Sequence, residues 1–137
     1  MNEDVSQNVR TLLRERITSF ELLEVLMFLH ARPGEYWSAT MLAGPVRLSE
    51  EEVHATLESL QAQQLAEMSP MQASGGYRYA PHDAALASAV DELVQNLGER
   101  RAAILSLMST NAIERVRSAA SSAFADAFLL KGKPKDA

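Results

Sequence analysis

The chain has 137 residues, and its 13 lysines and arginines against 18 aspartates and glutamates give a formal net charge of −5. This length fits one domain, and an apolar fraction of 47% excludes a wholly disordered chain. No apolar run approaches the ~18 residues of a membrane helix, and the acidic start differs from the basic start of a signal peptide. We therefore expect a soluble cytoplasmic protein. The chain has no cysteine, which excludes disulfides, thiolate metal sites and cysteine nucleophiles but does not identify a redox compartment.

The amino-terminal part of the chain predicts two helices. Residues 4–17 place apolar side chains on one side at helical spacing, which indicates an amphipathic helix. Thr18 with Glu21 three positions later fits a capping box, and a nearly unbroken apolar run over residues 20–29 follows it. We expect this second helix to be buried on most sides. It should end before Pro33, because proline disfavours helical geometry at the residue that precedes it.

Two shorter helices are predicted next. Ser38 can cap a brief helix that Pro45 stops. Ser49 with Glu52 three positions later is the clearest helix start in the chain, because each side chain can accept a hydrogen bond from the other residue's backbone N–H. The helix that begins there is predicted over about residues 50–64.

A β-hairpin and a long helix follow in the prediction. The stretches 65–69 and 77–79 flank a loop that contains proline, serine and glycine, which indicates two short strands. Asp83 can cap a helix whose apolar positions continue to Met108, a length of ~39 Å. A helix of that length reaches beyond a small core, so we expect its apolar stripe to meet a partner helix. Gly98 is the position where we expect any bend.

A last helix is predicted to begin at Asn111, which with Glu114 forms another capping-box pattern. Its six alanines between residues 112 and 130 permit close helix packing, either within the chain or in a dimer. Because a two-fold pair could bury both long helices at once, we predict a homodimer. The interface candidates on these helices are Leu86, Val90, Leu93, Leu97, Ile104, Leu105, Met108, Phe124 and Phe128.

The predicted order of helix, extended piece, helix, turn, helix and hairpin resembles a winged helix-turn-helix, a mainly α fold with a small β-hairpin. The chain is similar to small bacterial transcriptional regulators of the MarR and PadR kind, over about half of its length. The similarity lies in residues 37–42 (WSATML), 48–53 (LSEEEV), 57–60 (LESL) and 76–79 (GYRY). Residues 124–128 (FADAF) also look like a stretch found in uncharacterised bacterial winged-helix proteins.

The resemblance implies a winged-helix domain over residues 18–82 with dimerisation helices on both sides of it. These would be an amino-terminal helix at 1–17 and a helical region at 83–130, followed by a flexible basic tail at 131–137 that holds all three lysines. Such regulators commonly bind duplex DNA, and the helix at 50–64 would then enter the major groove. Under this hypothesis the DNA-contact candidates are Arg47, His54, Gln61 and Arg78.

The charge distribution argues against DNA binding. Residues 33–82 carry two arginines against six acidic residues, a net charge of −4, whereas residues 1–32 and 83–137 come to −1 and 0. Phosphate neutralisation by Lys and Arg supplies nearly all non-specific DNA affinity. The alternative is a winged helix that binds a protein partner through an acidic surface formed by Glu51, Glu52 and Glu58. Acidic residues in a helix's first turn are also stabilised by the helix dipole, whatever the function.

The sequence contains no catalytic motif. A Gly-rich phosphate loop, a nucleophile elbow and a zinc-protease motif are all absent, and His30, His54 and His82 lack metal-ligand spacing. We therefore expect a non-enzymatic regulatory protein with no cofactor and no metal. The resemblance favours a dimeric DNA-binding transcriptional regulator, and the alternative is a winged helix that serves as a protein-interaction module with little or no DNA binding. Its predicted partners are a second copy of itself and either duplex DNA or a regulatory protein, with no membrane contact.

Overall fold

The computed structural model describes residues 5–71 and 75–132, with side chains up to residue 125. This part of the chain is mainly helical and contains a small two-stranded antiparallel sheet, as predicted. In chain order the elements are α1 (Gln7–Glu15), α2 (Phe20–His30), α3 (Ala39–Val46), α4 (Glu50–Ala62), β1 (Ala66–Met68), β2 (Tyr77–Tyr79), α5 (Ala84–Glu99) and α6 (Arg101–Gly132).

Three of the predicted helix starts are confirmed. Ser49 Oγ accepts from the N–H of Glu52 at 3.0 Å, and Glu52 Oε1 accepts from the N–H of Ser49 at 3.0 Å, so the capping box of α4 is complete. Ser38 caps α3 by accepting from the N–H of Met41, and Asp83 caps α5 in the same way. These short-range hydrogen bonds set where the three helices begin.

Two other predicted helix boundaries, the start of α2 and the stop of α3, are wrong. The cap of α2 is Ser19, whose hydroxyl accepts from the N–H of Leu22 at 3.1 Å, and not Thr18. Helix α3 continues through Pro45 to Val46, and its carboxy-terminal cap is Arg47, which adopts the left-handed conformation (φ 60°, ψ 45°). A left-handed residue ends the helix because its backbone turns the next carbonyl away from the helix axis.

The single long helix predicted from Asp83 to Met108 is also wrong. Helix α5 stops at Glu99, and Arg100 has non-helical backbone angles (φ −139°, ψ 49°). The chain then starts α6 in a new direction, which carries Ile104 and Met108 into the core of the same molecule. Helices α5 and α6 therefore pack on each other, whereas the predicted single helix from Asp83 to Met108 would have reached beyond the core.

Helix α6 does not begin where the sequence predicts. It passes through Asn111 without interruption, so the capping box predicted there is wrong. The helix also includes residues 131 and 132, which the sequence assigns to the tail. Residues 133–137 of that tail lie outside the described part of the chain.

The hairpin strands pair antiparallel with Glu67 opposite Arg78. An isolated antiparallel bridge adds Trp37 to the other edge of β2. The N–H of Trp37 donates to the carbonyl of Tyr77 at 2.8 Å, and the N–H of Tyr77 donates to the carbonyl of Trp37 at 2.9 Å. The segment between α2 and α3 is thereby tied to the hairpin.

One continuous cluster of buried side chains forms the core. Helix α2 packs on α4, α3 packs on α4, and α1 packs on both α5 and α6. A hydrogen bond from Ser6 Oγ to Glu92 Oε1, at 2.6 Å, also joins the start of α1 to α5. Among the largest fully buried side chains are Leu13, Ile17, Leu26, Leu29, Leu42, Leu57, Leu60, Leu65, Leu93 and Ile104.

Candidate interaction surface on α4

Four exposed side chains lie on one side of α4. They are Glu51, His54, Glu58 and Gln61, and their spacing of three and four residues puts them on one stripe of the helix. We term this stripe the α4 face. The opposite side of the helix is held in the core by Val53, Leu57 and Leu60.

The α4 face is acidic. Helix α4 contains four glutamates and no lysine or arginine. Glu52 belongs to the capping box, and Glu50 accepts a hydrogen bond from a threonine hydroxyl of α3 at 3.2 Å, so both have structural roles. Glu58 Oε2 lies 3.2 Å from His54 Nε2, and both side chains are at least half exposed. Glu51 and Glu58 are therefore the acidic groups that the face offers to a partner.

Arg78, on β2, is already paired. Its Nε donates to Glu67 Oε2 at 2.7 Å, and its guanidinium carbon lies 4.9 Å from the ring centroid of Tyr36. An ion pair of this exposure contributes only about 0–1 kcal/mol to stability. The pair nevertheless neutralises the charge that a DNA contact by Arg78 requires, so DNA would have to compete with Glu67.

Arg47, unlike Arg78, is not paired with an acidic residue among the described residues. It lies exposed in the turn between α3 and α4, with its backbone in the left-handed region. Within the described residues, its side chain has neither an ion pair nor a hydrogen bond. Of the four predicted DNA-contact residues, two lie on the α4 face and Arg78 is paired, which leaves Arg47 as the cation that a phosphate could reach.

Most of the predicted dimer stripe belongs to the core of one chain. Val90, Leu93 and Ile104 are fully buried and Met108 is 4% exposed, so the prediction that these four form an intermolecular interface is wrong. They are covered because α5 and α6 close on α1 and on each other. Leu86, Leu97 and Leu105 are partly buried against the same core. Phe124 is 72% exposed, and Phe128 lies beyond the residues whose side chains are described.

Tyr79 lies in a small polar cluster beside the hairpin. Its ring centroid is 5.0 Å from that of His30, and His30 Nε2 is 3.0 Å from Asp91 Oδ1. The tyrosine hydroxyl is buried and has no hydrogen-bond partner among the described residues. Burial first, and the charge of Asp91 second, raise the pKa of Tyr79 to about 12.

This shift predicts a loss of stability at high pH. In the unfolded chain a tyrosine releases its proton near pH 10, whereas Tyr79 in the folded protein keeps it up to about pH 12. The unfolded state is therefore favoured increasingly as the pH rises from about 10 to about 12, and the contribution of Tyr79 to stability is complete below that range. Urea unfolding across this range should show a steeper decline for the natural chain than for Tyr79→Phe. If the stability of the two proteins declined equally over this pH range, Tyr79 would not have the raised pKa.

The Glu67–Arg78 pair is not among the predicted features. The two residues are opposite in charge and lie on the two strands of the predicted hairpin, which is a usable signal. The long connecting loop left the register of the strands open, however, and only the register Ala66 opposite Tyr79 sets Glu67 directly across from Arg78.

The described residues contain no candidate metal site. Among them, no three His, Asp or Glu side chains come close enough together to hold a metal ion. Over the same ranges, none of the helices is both long and apolar enough to cross a bilayer. A scan of protein-family models, a search of curated proteins and a search of solved structures found no match to this chain.

Proposed function

We propose that this chain is a non-enzymatic winged-helix regulatory protein that acts by binding another protein through the α4 face. The order α2, extended piece, α3, α4, β1, β2 is the winged-helix order. The isolated bridge between Trp37 and Tyr77 supports this assignment, because it joins the extended piece to the free edge of the hairpin. In a winged helix, α4 is the element that projects toward the partner.

The proposal of a protein partner rests on the charge of α4. Four carboxylates and no lysine or arginine lie on the helix that a DNA-binding winged helix would place in the major groove. Two like charges 4 Å apart repel by about 1 kcal/mol in water and about 4 kcal/mol at an effective dielectric constant near 20. Phosphates on both sides of the groove would therefore oppose docking. A protein surface that carries lysines and arginines would favour it.

DNA binding is the competing function. The winged-helix order is typical of DNA-binding regulators, and Arg47 is the exposed cation beside α4 that could contact a phosphate. One arginine next to four glutamates supplies little of the electrostatic affinity that non-specific DNA binding requires. For this reason we rank DNA binding second.

Fluorescence anisotropy of labelled duplex DNA distinguishes the two functions. A generic duplex and the upstream region of the gene are titrated with the protein at about 50 mM and 200 mM salt. We expect no saturable binding to either duplex at either salt concentration. Tight binding that weakens with salt and prefers the upstream region would contradict the proposal. In that case Arg47→Ala should weaken binding more than Arg78→Ala, because Arg78 is engaged with Glu67.

The protein partner is tested by comparing two charge-reversed variants in a pull-down. Glu51→Lys/Glu58→Lys reverses the α4 face, and Glu15→Lys/Glu21→Lys makes the same change in net charge on exposed positions of α1 and α2. A basic partner that binds α4 should be captured by the natural chain and by the second variant but lost with the first. Equal capture by both variants would show that α4 does not bind it.

A further inference from the structure

Helix α3 contains no charged residue, and Leu42 is its one buried side chain. Its solvent side is formed by the exposed residues Thr40, Met41, Gly44 and Pro45, which we term the α3 surface. The hydroxyl of Thr40 is the only polar side-chain group among these four. A surface helix typically carries charged or polar side chains on the side that faces water. The α3 surface departs from this pattern and is therefore suited to contact with another molecule.

Met41 is the largest apolar side chain of the α3 surface, and it is 52% exposed. Pro45 lies about one helical turn further on, and Gly44 beside it presents no side chain. Apart from the adjoining residues and the backbone of the helix, no atom lies within 4 Å of the position that a Cβ of Gly44 would take. A bulky apolar side chain of another molecule therefore finds room beside Met41.

The α3 surface adjoins the α4 face. Helix α3 packs on α4, and Thr40 Oγ1 donates to Glu50 Oε1 at 3.2 Å. Met41 directly follows Thr40 in the chain, and Glu51, the first residue of the α4 face, directly follows Glu50. An exposed apolar surface and exposed carboxylates thus lie side by side on two neighbouring helices.

We propose that the α3 surface and the α4 face together bind one basic amphipathic segment of a partner protein. A bulky apolar side chain of the segment packs on Met41, and its lysines and arginines lie over Glu51 and Glu58. This inference rests on the proposed function and adds the chemistry of the partner. Because Glu51 and Glu58 are about two helical turns apart, the basic residues of the segment extend over ~10 Å.

The charge of the two helices supports a basic partner. Residues 39–62 contain four carboxylates and one arginine, a net charge of −3. Duplex DNA does not fit the α3 surface either. In a DNA-binding helix-turn-helix, the helix in this position crosses the phosphate backbone, where lysines, arginines and other polar side chains make the contacts. Helix α3 offers no lysine or arginine for that role.

Peptide selection on phage tests the chemistry of the partner. The full natural chain is the bait for random peptides of about 16 residues, which can span the surface in any conformation. Peptides that also bind Glu51→Lys/Glu58→Lys are removed. The enriched peptides should combine several lysines or arginines with a leucine, methionine, phenylalanine or tryptophan. Enriched peptides that are basic but no more apolar than the library would overturn the inference and leave the proposed function intact. Failure to enrich any peptide would overturn both.

Fluorescence anisotropy of the most enriched peptide, carrying a label, then compares Met41→Gln with Ile113→Gln. Glutamine is similar to methionine in length and helix propensity, so Met41→Gln keeps α3 and removes the apolar contact. This variant should raise the dissociation constant at least ~10-fold. Ile113→Gln makes an equivalent change at an exposed position of α6 and should leave the dissociation constant unchanged. Far-UV circular dichroism should be the same for both variants and the natural chain.

The pattern across the variants separates the two claims. If Glu51→Lys/Glu58→Lys abolishes binding and Met41→Gln does not weaken it, the α3 surface is not involved and only the inference fails. If neither change weakens binding, the peptide binds elsewhere and the proposed function fails as well. Equal weakening by Met41→Gln and Ile113→Gln would show non-specific apolar contact and would also overturn the inference.

Discussion

Gly76→Ala should lower the free energy of unfolding by at least about 3 kcal/mol, the largest loss among our stability predictions. Gly76 has a φ of +85°, and a Cβ there would overlap the carbonyl group of Trp37 and lie 2.6 Å from the backbone nitrogen of Ser38. These atoms belong to the backbone and cannot move aside as a flexible side chain would. They can yield only if the bridge between Trp37 and Tyr77 opens.

Urea unfolding of Gly76→Ala beside Gly34→Ala separates the two causes of destabilisation. Gly34 has nearly the same φ, +83°, but a Cβ there would meet no atom within 4 Å. Gly34→Ala should therefore show only the backbone strain of a left-handed alanine, about 1 kcal/mol. Equal losses in the two variants would mean that the close approach of Gly76 to Trp37 does not maintain the bridge between Trp37 and Tyr77. The winged-helix assignment would then lose the support of this bridge and rest on the order of the elements alone.

The second large effect is a gain of function. Glu51→Lys/Glu58→Lys should give the protein measurable affinity for generic duplex DNA, at least ~10-fold tighter than the natural chain at about 50 mM salt. The reason is that a winged helix already presents α4 with the shape that fits the major groove, and the present obstacle is charge. Each new lysine can neutralise about one phosphate, so the salt dependence of binding should steepen by up to about two counterions.

The matched control is Glu15→Lys/Glu21→Lys, which changes the net charge equally at exposed positions of α1 and α2. Anisotropy titrations at two salt concentrations compare the variants. If both bind DNA equally, net charge alone causes the gain and the position of α4 is irrelevant. If neither binds, α4 is not placed as a winged helix places it, and the proposed function fails together with the gain. Glu52 is left unchanged in these variants because its carboxylate completes the capping box.

The sequence was most informative where the determinants are local. The start of α4 could be predicted because Ser49 and Glu52 are only three residues apart, and their two hydrogen bonds form whatever surrounds them. The same holds for Ser38 and Asp83. The capping-box pattern favours Thr18 because Glu21 follows it three residues later, but the backbone angles make Ser19 the cap, although Leu22 stands at that spacing.

The apolar stripes show where local reasoning ends. Val90 and Ile113 both belong to regular helical patterns, and nothing in the pattern says which of them is covered by the chain itself. The structure buries Val90 completely and leaves Ile113 56% exposed. The break at Arg100 makes the difference, because it turns α6 back toward α1 for its first two turns and then lets it leave the core.

The sequence by itself determined the mainly helical character, the hairpin, three helix starts and the acidity of α4, because composition and contacts within one helical turn are sufficient for these. The tertiary structure alone decided that Arg78 is paired with Glu67, that Trp37 joins β2, and that Val90 is buried whereas Ile113 is exposed. Each of these depends on residues brought together from separate parts of the chain. Strand register and helix direction set such contacts, and short-range patterns do not encode them.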